Sequence, residues 1–484
     1  MHCNSNATFL QNLLPKNLQK TFEFLNRAIQ DGNITSWSIA NQQFCMSSFF
    51  ADECEPPLEG NCDWLDTLHP TFDLASLTKP LFTNLLIRNL DNSNLPALLA
   101  QPVTEIIKNP TTPAGHVVQN ALKNSSLTIT DFLNHRTGVP AWMWFGKGMW
   151  HFAQNHLEAK VHSEGFDKQK LKEKFEETMT HFAVQKIFPQ NTTECYSDIG
   201  YFLLARIAEN MPYGQPTDFW SERLNSANSA NGTHFFHASL TPSHTTRAIP
   251  AYPYTSLQNQ IVPSGAFQKR EFGHLHDTNG NILASHGIVS GHAGMFGTVL
   301  DVALAIPTLA NTQKRLLESS PANTSSRFIF GLDTPSAGTS AAGPLTWPLE
   351  KGQQIFGHLG YTGTMFWFLQ TPNEALAKFN ILLTNRTAQR TTIGSEIAPR
   401  IIVVTPMPQN ICGQTLRNTD SVQTLYFAQN TPQSALRSIS RNDAEEIIVA
   451  YARATRRIWN DSCLRQVPNI QALRNTVSTQ LWQI

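Results

Sequence analysis

The 484-residue chain has no excess of either charge, because 36 Lys and Arg stand against 36 Asp and Glu. Without a basic or acidic balance there is no electrostatic footprint for nucleic acid and no polybasic face for anionic lipid. No apolar run approaches the roughly 18 residues of a membrane-spanning helix, so no membrane span is expected. The opening MHCNSNATFLQNLL lacks the basic segment and apolar core of a secretory signal. A cytoplasmic location is the expectation, with an extracytoplasmic one open if the true start lies upstream. The seven cysteines (Cys3, Cys45, Cys54, Cys62, Cys195, Cys412 and Cys463) are odd in number and contain no CxxC pair. That excludes a zinc knuckle and argues against a disulfide framework, so reduced thiols are expected. There is also no HExxH, no GxSxG elbow, no GxxxxGK[ST] and no GxGxxG following a strand. These absences remove zinc-peptidase, α/β-hydrolase, P-loop and Rossmann readings, and no metal or cofactor is called for.

What is present reads as a globular chain, with 41% hydrophobic residues, enough for a large core. Leu18, Phe22, Leu25 and Ile29 recur at helical spacing, and SWSIANQQFCMSSFF reads as one or two strands. Helical patterns dominate from Ser76 to about residue 210, clearest in 197–209, where Ile199, Phe202, Leu203 and Ile207 share a face. Residues 211–290, rich in Asn, Ser, Pro and His, read as a long surface excursion. Strand-like runs return at 326–332, 363–370 and 378–385, the last two joined by a turn at Thr371-Pro-Asn-Glu. A capped helix is expected over about 442–459. This order predicts an α/β (α+β) fold: an antiparallel sheet fed from both chain ends and flanked by terminal helices, with a helical lobe inserted. The expected division is 1–90 with 290–484 as the α/β domain and 91–289 as the lobe. Residues 387–440 are an unplaced insertion.

The segment FDLASLTKP sets Ser76 and Lys79 three apart at a helix start, on one face, so the amine can reach the hydroxyl. Burial and neighbouring cations lower a lysine pKa and yield a neutral amine able to take the serine proton. The bland alternative is a serine N-cap beside an exposed lysine. In ECYSDIGYFLLARIAE, Tyr196 can relay a proton, while Asp198 is either a site residue or a helix cap. In IFGHLGYTGTMFWF, His358 and three glycines precede an apolar strand, where glycine admits close backbone approach and an edge strand offers N–H groups. Otherwise Gly360 belongs to a turn and His358 is an incidental surface histidine.

These three segments, in this order and spacing, resemble the serine β-lactamase and penicillin-binding-protein superfamily. The branch is the one similar to class C β-lactamases, D-Ala-D-Ala peptidases and related esterases. DFLNHRTGVPAW (131–142), HDTNG (276–280), SGHAGMFGT (290–298), FGLDTPS (330–336) and ILLTNR (381–386) extend the resemblance over roughly residues 15–386. It implies a β-lactamase/transpeptidase-like fold and a serine hydrolase. Ser76 would be the acylated nucleophile, Lys79 its general base, Tyr196 the proton shuttle, and the N–H groups of Ser76 and Tyr361 the oxyanion hole. The expected partner is a small-molecule or peptide substrate; the oligomeric state is unknown.

Two departures bear on substrate. Tyr196-Ser197-Asp198 replaces the amide of the family's Y-x-N by a carboxylate, which only accepts hydrogen bonds. His358-Leu359-Gly360 replaces K-T-G, and a histidine is mostly neutral at pH 7. Both weaken the grip on a β-lactam or D-Ala carboxylate and favour esterase or peptidase-type acyl transfer, unless a protonated His358 serves as the anchor. Trp142, Trp144 and Phe145 either wall the pocket or pack the core. The alternative is a catalytically silent protein of the same fold that holds a peptide in its cleft.

Overall fold

The computed structural model describes residues 34–42, 44–50, 69–90, 94–146, 168–185, 194–212, 219–240, 248–249, 275–319, 326–334, 349–386 and 400–406, with a few isolated positions besides. The run that reads as one or two strands is two, β1 (Ile34–Asn41) and β2 (Phe44–Phe50), paired antiparallel as a hairpin. β3 (Thr71–Asp73) leads into a continuous helical stretch. It is 3₁₀ over Ala75–Leu77, widens to a π-turn over Lys79–Asn84, and ends as α1 (Leu85–Arg88). Five helices follow: α2 (Leu95–Ala100), α3 (Val103–Ile106), α4 (Pro113–Leu122), α5 (Ile129–Leu133) and α6 (Lys168–Val184). Next come α7 (Asp198–Glu209), α8 (Phe219–Asn231), β4 (Phe236–His237), β5 (Ala248–Ile249), α9 (Thr278–Ala284), β6 (Met295–Gly297) and α10 (Val299–Ser319). The last described elements are β7 (Phe328–Ile329), β8 (Leu332–Asp333), β9 (Gln354–Leu359), β10 (Met365–Gln370), β11 (Lys378–Arg386) and β12 (Arg400–Pro406).

The large sheet is antiparallel, in the order β12-β2-β1-β11-β10-β9-β8-β7, so β1 and β2 from the front of the chain lie beside β9–β11 from its back. Period-two alternation sends Phe356, Phe366, Phe368, Phe379, Ile381 and Leu383 into the main core, which α10 joins through Ile306, Leu309 and Ala310. Register locks this choice, since Phe366 pairs with Ile381 and Phe368 with Phe379, and a one-residue slip would turn the aromatic set away from the core. A smaller sheet, β4-β6-β3-β5, carries the approach to Ser76.

Three readings of the sequence change. Residues 400–406, unplaced before, are β12, paired along β2 from Arg400↔Phe50 to Pro406↔Phe44. The stretch 211–290 is not simply a surface excursion, because α8 buries Phe219, Trp220 and Leu224 and Trp220 stacks on Phe82, their ring centroids 5.0 Å apart. Its polar composition hid three anchoring residues. The strand expected at 326–332 is broken into β7 and β8 by a turn at Phe330 (φ +48°) and Gly331 (φ +81°). The helix expected at 442–459 lies outside the described residues.

Arg88 ties these parts together from full burial. Its guanidinium donates to Asn84 Oδ1 (2.8 Å), Thr312 Oγ1 (3.1 Å), Gln313 Oε1 (2.7 Å) and the carbonyl of Phe330 (2.5 Å). It thereby joins the helix behind Lys79, α10 and the β7–β8 turn. Burial pulls its pKa down to about 9, against the pull of Tyr201, yet it stays charged at neutral pH. Arg88→Leu leaves Gln313 Oε1 and Thr312 Oγ1 without this donor, at roughly 1–3 kcal/mol per stranded group. The expected outcome is a stability loss of roughly 3 kcal/mol, read as a lower urea midpoint. An unchanged midpoint would refute the tie.

Candidate active site

Ser76 follows Ala75, whose φ of +48° lies in the left-handed region that a side chain with Cβ rarely adopts. The surrounding chain holds it there. Ala75 N donates to Asp73 Oδ1 (2.8 Å), and Asp73 Oδ2 accepts from His276 N (2.7 Å). Thr362 Oγ1 donates to the Asp73 carbonyl (2.9 Å) and Thr364 Oγ1 to that of Leu74 (3.2 Å). Leu74 N in turn donates to the Met295 carbonyl of β6 (3.0 Å). Ser76 is thus fixed by three remote segments and is half-buried.

Lys79 is 0% exposed. Its ammonium donates to Ser76 Oγ (3.0 Å), Asp198 Oδ1 (2.7 Å) and the His292 carbonyl (3.3 Å). It also sits 4.8 Å from the centre of the Tyr196 ring. The Tyr196 phenol interacts electrostatically with Lys79. Burial alone would pull Lys79 down, as the sequence argument expects, but Asp198 and then Tyr196 outweigh it and hold the ammonium above the usual lysine value. Burial, with some help from Asp198, pushes the Tyr196 phenol up against the opposing pull of Lys79. The resting state is therefore an ammonium beside a neutral phenol.

Asp198 is released for this pairing because its neighbour does the capping. Ser197 is the N-cap of α7, accepting from Gly200 N (2.9 Å) and donating to the Pro140 carbonyl (2.7 Å). Ser197 N in turn donates to His135 Nδ1 (3.0 Å), which must therefore be unprotonated on that nitrogen.

β9 is not a free edge. It pairs with β10 from Gln354 to Leu359 and meets the short β8 only at Asp333↔Gly357, so β8 stops before the end that approaches Ser76. Gly360 is there because a Cβ would strike Thr364 Oγ1 and come within 2.7 Å of the Leu74 carbonyl. Tyr361 follows, 43% exposed, its ring 4.9 Å from that of His276. His358 is not a surface histidine. It is 3% exposed, its Nδ1 bonded to the Leu359 carbonyl (2.8 Å), with the rings of Tyr196 and Phe328 at 5.9 and 6.4 Å. For its ring to meet a substrate carboxylate, that aromatic cluster would have to open. Of the aromatics after residue 141, Trp142 is 39% exposed and Phe145 is fully buried.

Spacing along the sequence gives no hint of a second ion pair behind the first. His292 Nε2 lies 3.0 Å from Asp277 Oδ1, and Asp198, Asp277 and His292 bring one ligand atom each within 4.8 Å of the others. Such a set has the composition to hold a cation. Here Lys79's own ammonium stands on Asp198, and Asp277 is engaged with His292. The HDTNG and SGHAG segments carry these residues, and only the fold brings them together. Cys45 and Cys195 are free thiols, the first buried and the second exposed.

The Beta-lactamase family model matches residues 69–390. A putative D-alanyl-D-alanine carboxypeptidase of Escherichia coli O157:H7 is 25% identical over 313 residues, covering 61% of this chain and 65% of that protein. An N-acetylmuramyl-L-alanine amidase of Bacillus subtilis (strain 168) is 24% identical over 345 residues, covering 65% and 68%. The chain thus spans about two thirds of the length of the curated relatives it matches. Among solved structures, a novel penicillin-binding protein homolog from Caulobacter crescentus is 14% identical, with a TM-score of 0.46, covering 77% of this chain and 92% of that one.

Gly360→Ala tests the close approach of β9 to the Ser76 segment. The added methyl should push the two apart and slow covalent labelling of Ser76 by a fluorophosphonate by about 100-fold, the order expected for a 1 Å displacement. Labelling at the wild-type rate would show that this contact does not set the site.

Proposed function

The chain belongs to the beta-lactamase family, and from that premise we propose that it is a serine hydrolase forming an acyl-enzyme on Ser76, with an ester or a peptide-like amide as substrate. The observation that carries this reading is the 3.0 Å contact between Lys79 Nζ and Ser76 Oγ, with the Tyr196 ring centre 4.8 Å from the same ammonium. A nucleophile, a base and a proton carrier within mutual reach are what acyl transfer needs.

In the proposed reaction the neutral amine form of Lys79 takes the Ser76 proton as Oγ bonds to the substrate carbonyl carbon. The carbonyl oxygen becomes an oxyanion facing the N–H groups of Ser76 and Tyr361. Lys79, through Tyr196, returns the proton to the leaving oxygen or nitrogen as its bond to the acyl carbon breaks. Water, deprotonated by the same pair, then cleaves the ester and restores the serine. Exposed Tyr361 and Trp142 offer apolar surface beside the cleft. His358-Leu359-Gly360 in place of K-T-G supplies neither a lysine nor a hydroxyl for a substrate carboxylate, which favours esters and uncharged amides over β-lactams. The names of the curated relatives, a carboxypeptidase and an amidase, keep peptide-type amides in range.

A silent, peptide-holding cleft is favoured by one observation, the ion pair that keeps Lys79 protonated. Turnover of p-nitrophenyl esters, with intact mass after fluorophosphonate treatment of wild type and Ser76→Ala, separates the two readings. Hydrolysis and one adduct lost in Ser76→Ala are expected; equal labelling of both proteins rejects the assignment.

Asp198 gives the pH dependence its sign. Labelling should quicken as pH rises and Lys79 loses its proton. Asp198→Asn removes the carboxylate that stabilises the ammonium, so the burial penalty gains weight and the acid limb should move to lower pH by about one to two units. A limb that stays in place or moves upward would separate Asp198 from the charge state of Lys79.

A further inference from the structure

Acylation as proposed needs a neutral Lys79, yet Asp198 holds the ammonium, so something must moderate that hold. The second ion pair is placed to do so. His292 is 1% exposed, and both of its ring nitrogens face acceptors: Nε2 the Asp277 carboxylate at 3.0 Å and Nδ1 the Ser290 carbonyl at 3.2 Å. A carbonyl and a carboxylate cannot donate, so only an imidazolium with two N–H groups satisfies both contacts. Asp277 is itself fixed as the N-cap of α9, accepting from Gly280 N at 2.5 Å.

We propose that His292 is a positioning residue for Lys79: locked as an imidazolium by Asp277 and the Ser290 carbonyl, it stands as a fixed positive charge against the Lys79–Asp198 pair and favours the neutral amine. This rests on the acyl-enzyme reading of Ser76. The titratable groups facing His292 are Asp277 at the start of α9, Asp198 at the start of α7, Lys79 on the Ser76 helix, and His237 on β4. Burial keeps His237 neutral, pulling it down to about 3. The remaining charges are two carboxylates, one ammonium and one imidazolium, which sum to zero. With a neutral ring at 292 the cluster carries one net negative charge, and the nearby ammonium holds its proton more tightly. The arrangement supports a charged ring: burial opposes it, but the Asp277 charge and hydrogen bond outweigh burial and raise His292. Lys79 lowers His292 in that same balance, and the effect is mutual, so a charged His292 lowers Lys79. A neighbouring cation lowers a lysine pKa, and His292 is the cation placed to do so for Lys79.

The experiment is the pH dependence of Ser76 labelling by a fluorophosphonate in wild type, His292→Gln and Asp277→Asn, with circular dichroism to verify folding. His292→Gln should move the acid limb upward by about one unit, which is about tenfold slower labelling on that limb, whereas Asp277→Asn, which removes a carboxylate facing Lys79 together with the partner of the ring, should not move it upward. The His292→Gln direction is opposite to that of Asp198→Asn. A purely structural role would reduce the labelled fraction at every pH and leave the His292→Gln limb in place, and that result overturns the proposal. Should neither variant fold, ¹⁵N-histidine spectra of the unmodified protein decide. Among the 16 histidines, one ring should stay doubly protonated at a pH where an ordinary histidine has become neutral, and the absence of such a ring overturns the proposal. If Ser76 is never labelled in wild type, the acyl-enzyme reading fails and the proposed role for His292 fails with it. Normal labelling with an unmoved limb in His292→Gln defeats the His292 proposal alone.

Discussion

An ammonium taken completely out of water must find acceptors in the protein, and the placement of the Lys79 charge governs the rest of the site. The desolvation cost of such a group is several kcal/mol unless it is paired and hydrogen-bonded. Ser76 Oγ, Asp198 Oδ1 and the His292 carbonyl meet it, each from a different part of the chain. Those demands fix where α7 begins, where the 290–294 turn runs, and why Ser197 rather than Asp198 caps the helix. The same pairing that makes burial tolerable also holds the amine protonated, so the proposed acyl transfer would turn on how firmly the carboxylate holds it.

The scaffold supplies rigidity at the one strained point. Ala75 keeps a left-handed backbone because Asp73, Thr78, Thr362, Thr364 and Met295 bind the segment on all sides. The end of β9 is drawn against this segment by a glycine that leaves room for the Leu74 carbonyl. Gly291, at φ +75°, performs the equivalent service on the other side, where an added Cβ would meet the Tyr201 backbone and lie 2.9 Å from Ala205 Cβ of α7. Two close backbone approaches thus depend on glycine, and the buried Arg88 joins the helix to α10 and the β7–β8 turn.

The departures from the family's motifs take on physical content in this setting. A carboxylate at 198 is more than a lost amide donor, since it sets the protonation state of the lysine. A histidine at 358 is more than a weaker cation, since its ring is buried beside those of Tyr196 and Phe328. Both shift the reading away from anchoring a carboxylate and toward acyl groups that are recognised by shape and apolar contact.

Local pattern alone marked strand character at 36–50, β10 and β11 with their turn, the helix at 198–209, and the placing of Ser76 and Lys79 on one helical face, because each depends on neighbours within a few residues. The polar stretch that hides α8 and the strand at 400–406 were illegible, since their partners, Phe82 and β2, lie hundreds of residues away or carry the signal in their own sequence. Charge states were equally out of reach. Whether Asp198 caps or pairs, whether Lys79 rests as ammonium or amine, and that His292 meets Asp277 are decided by distances between side chains remote in sequence. Electrostatic energy falls with separation in space and takes no account of separation along the chain, so only the tertiary structure could set them.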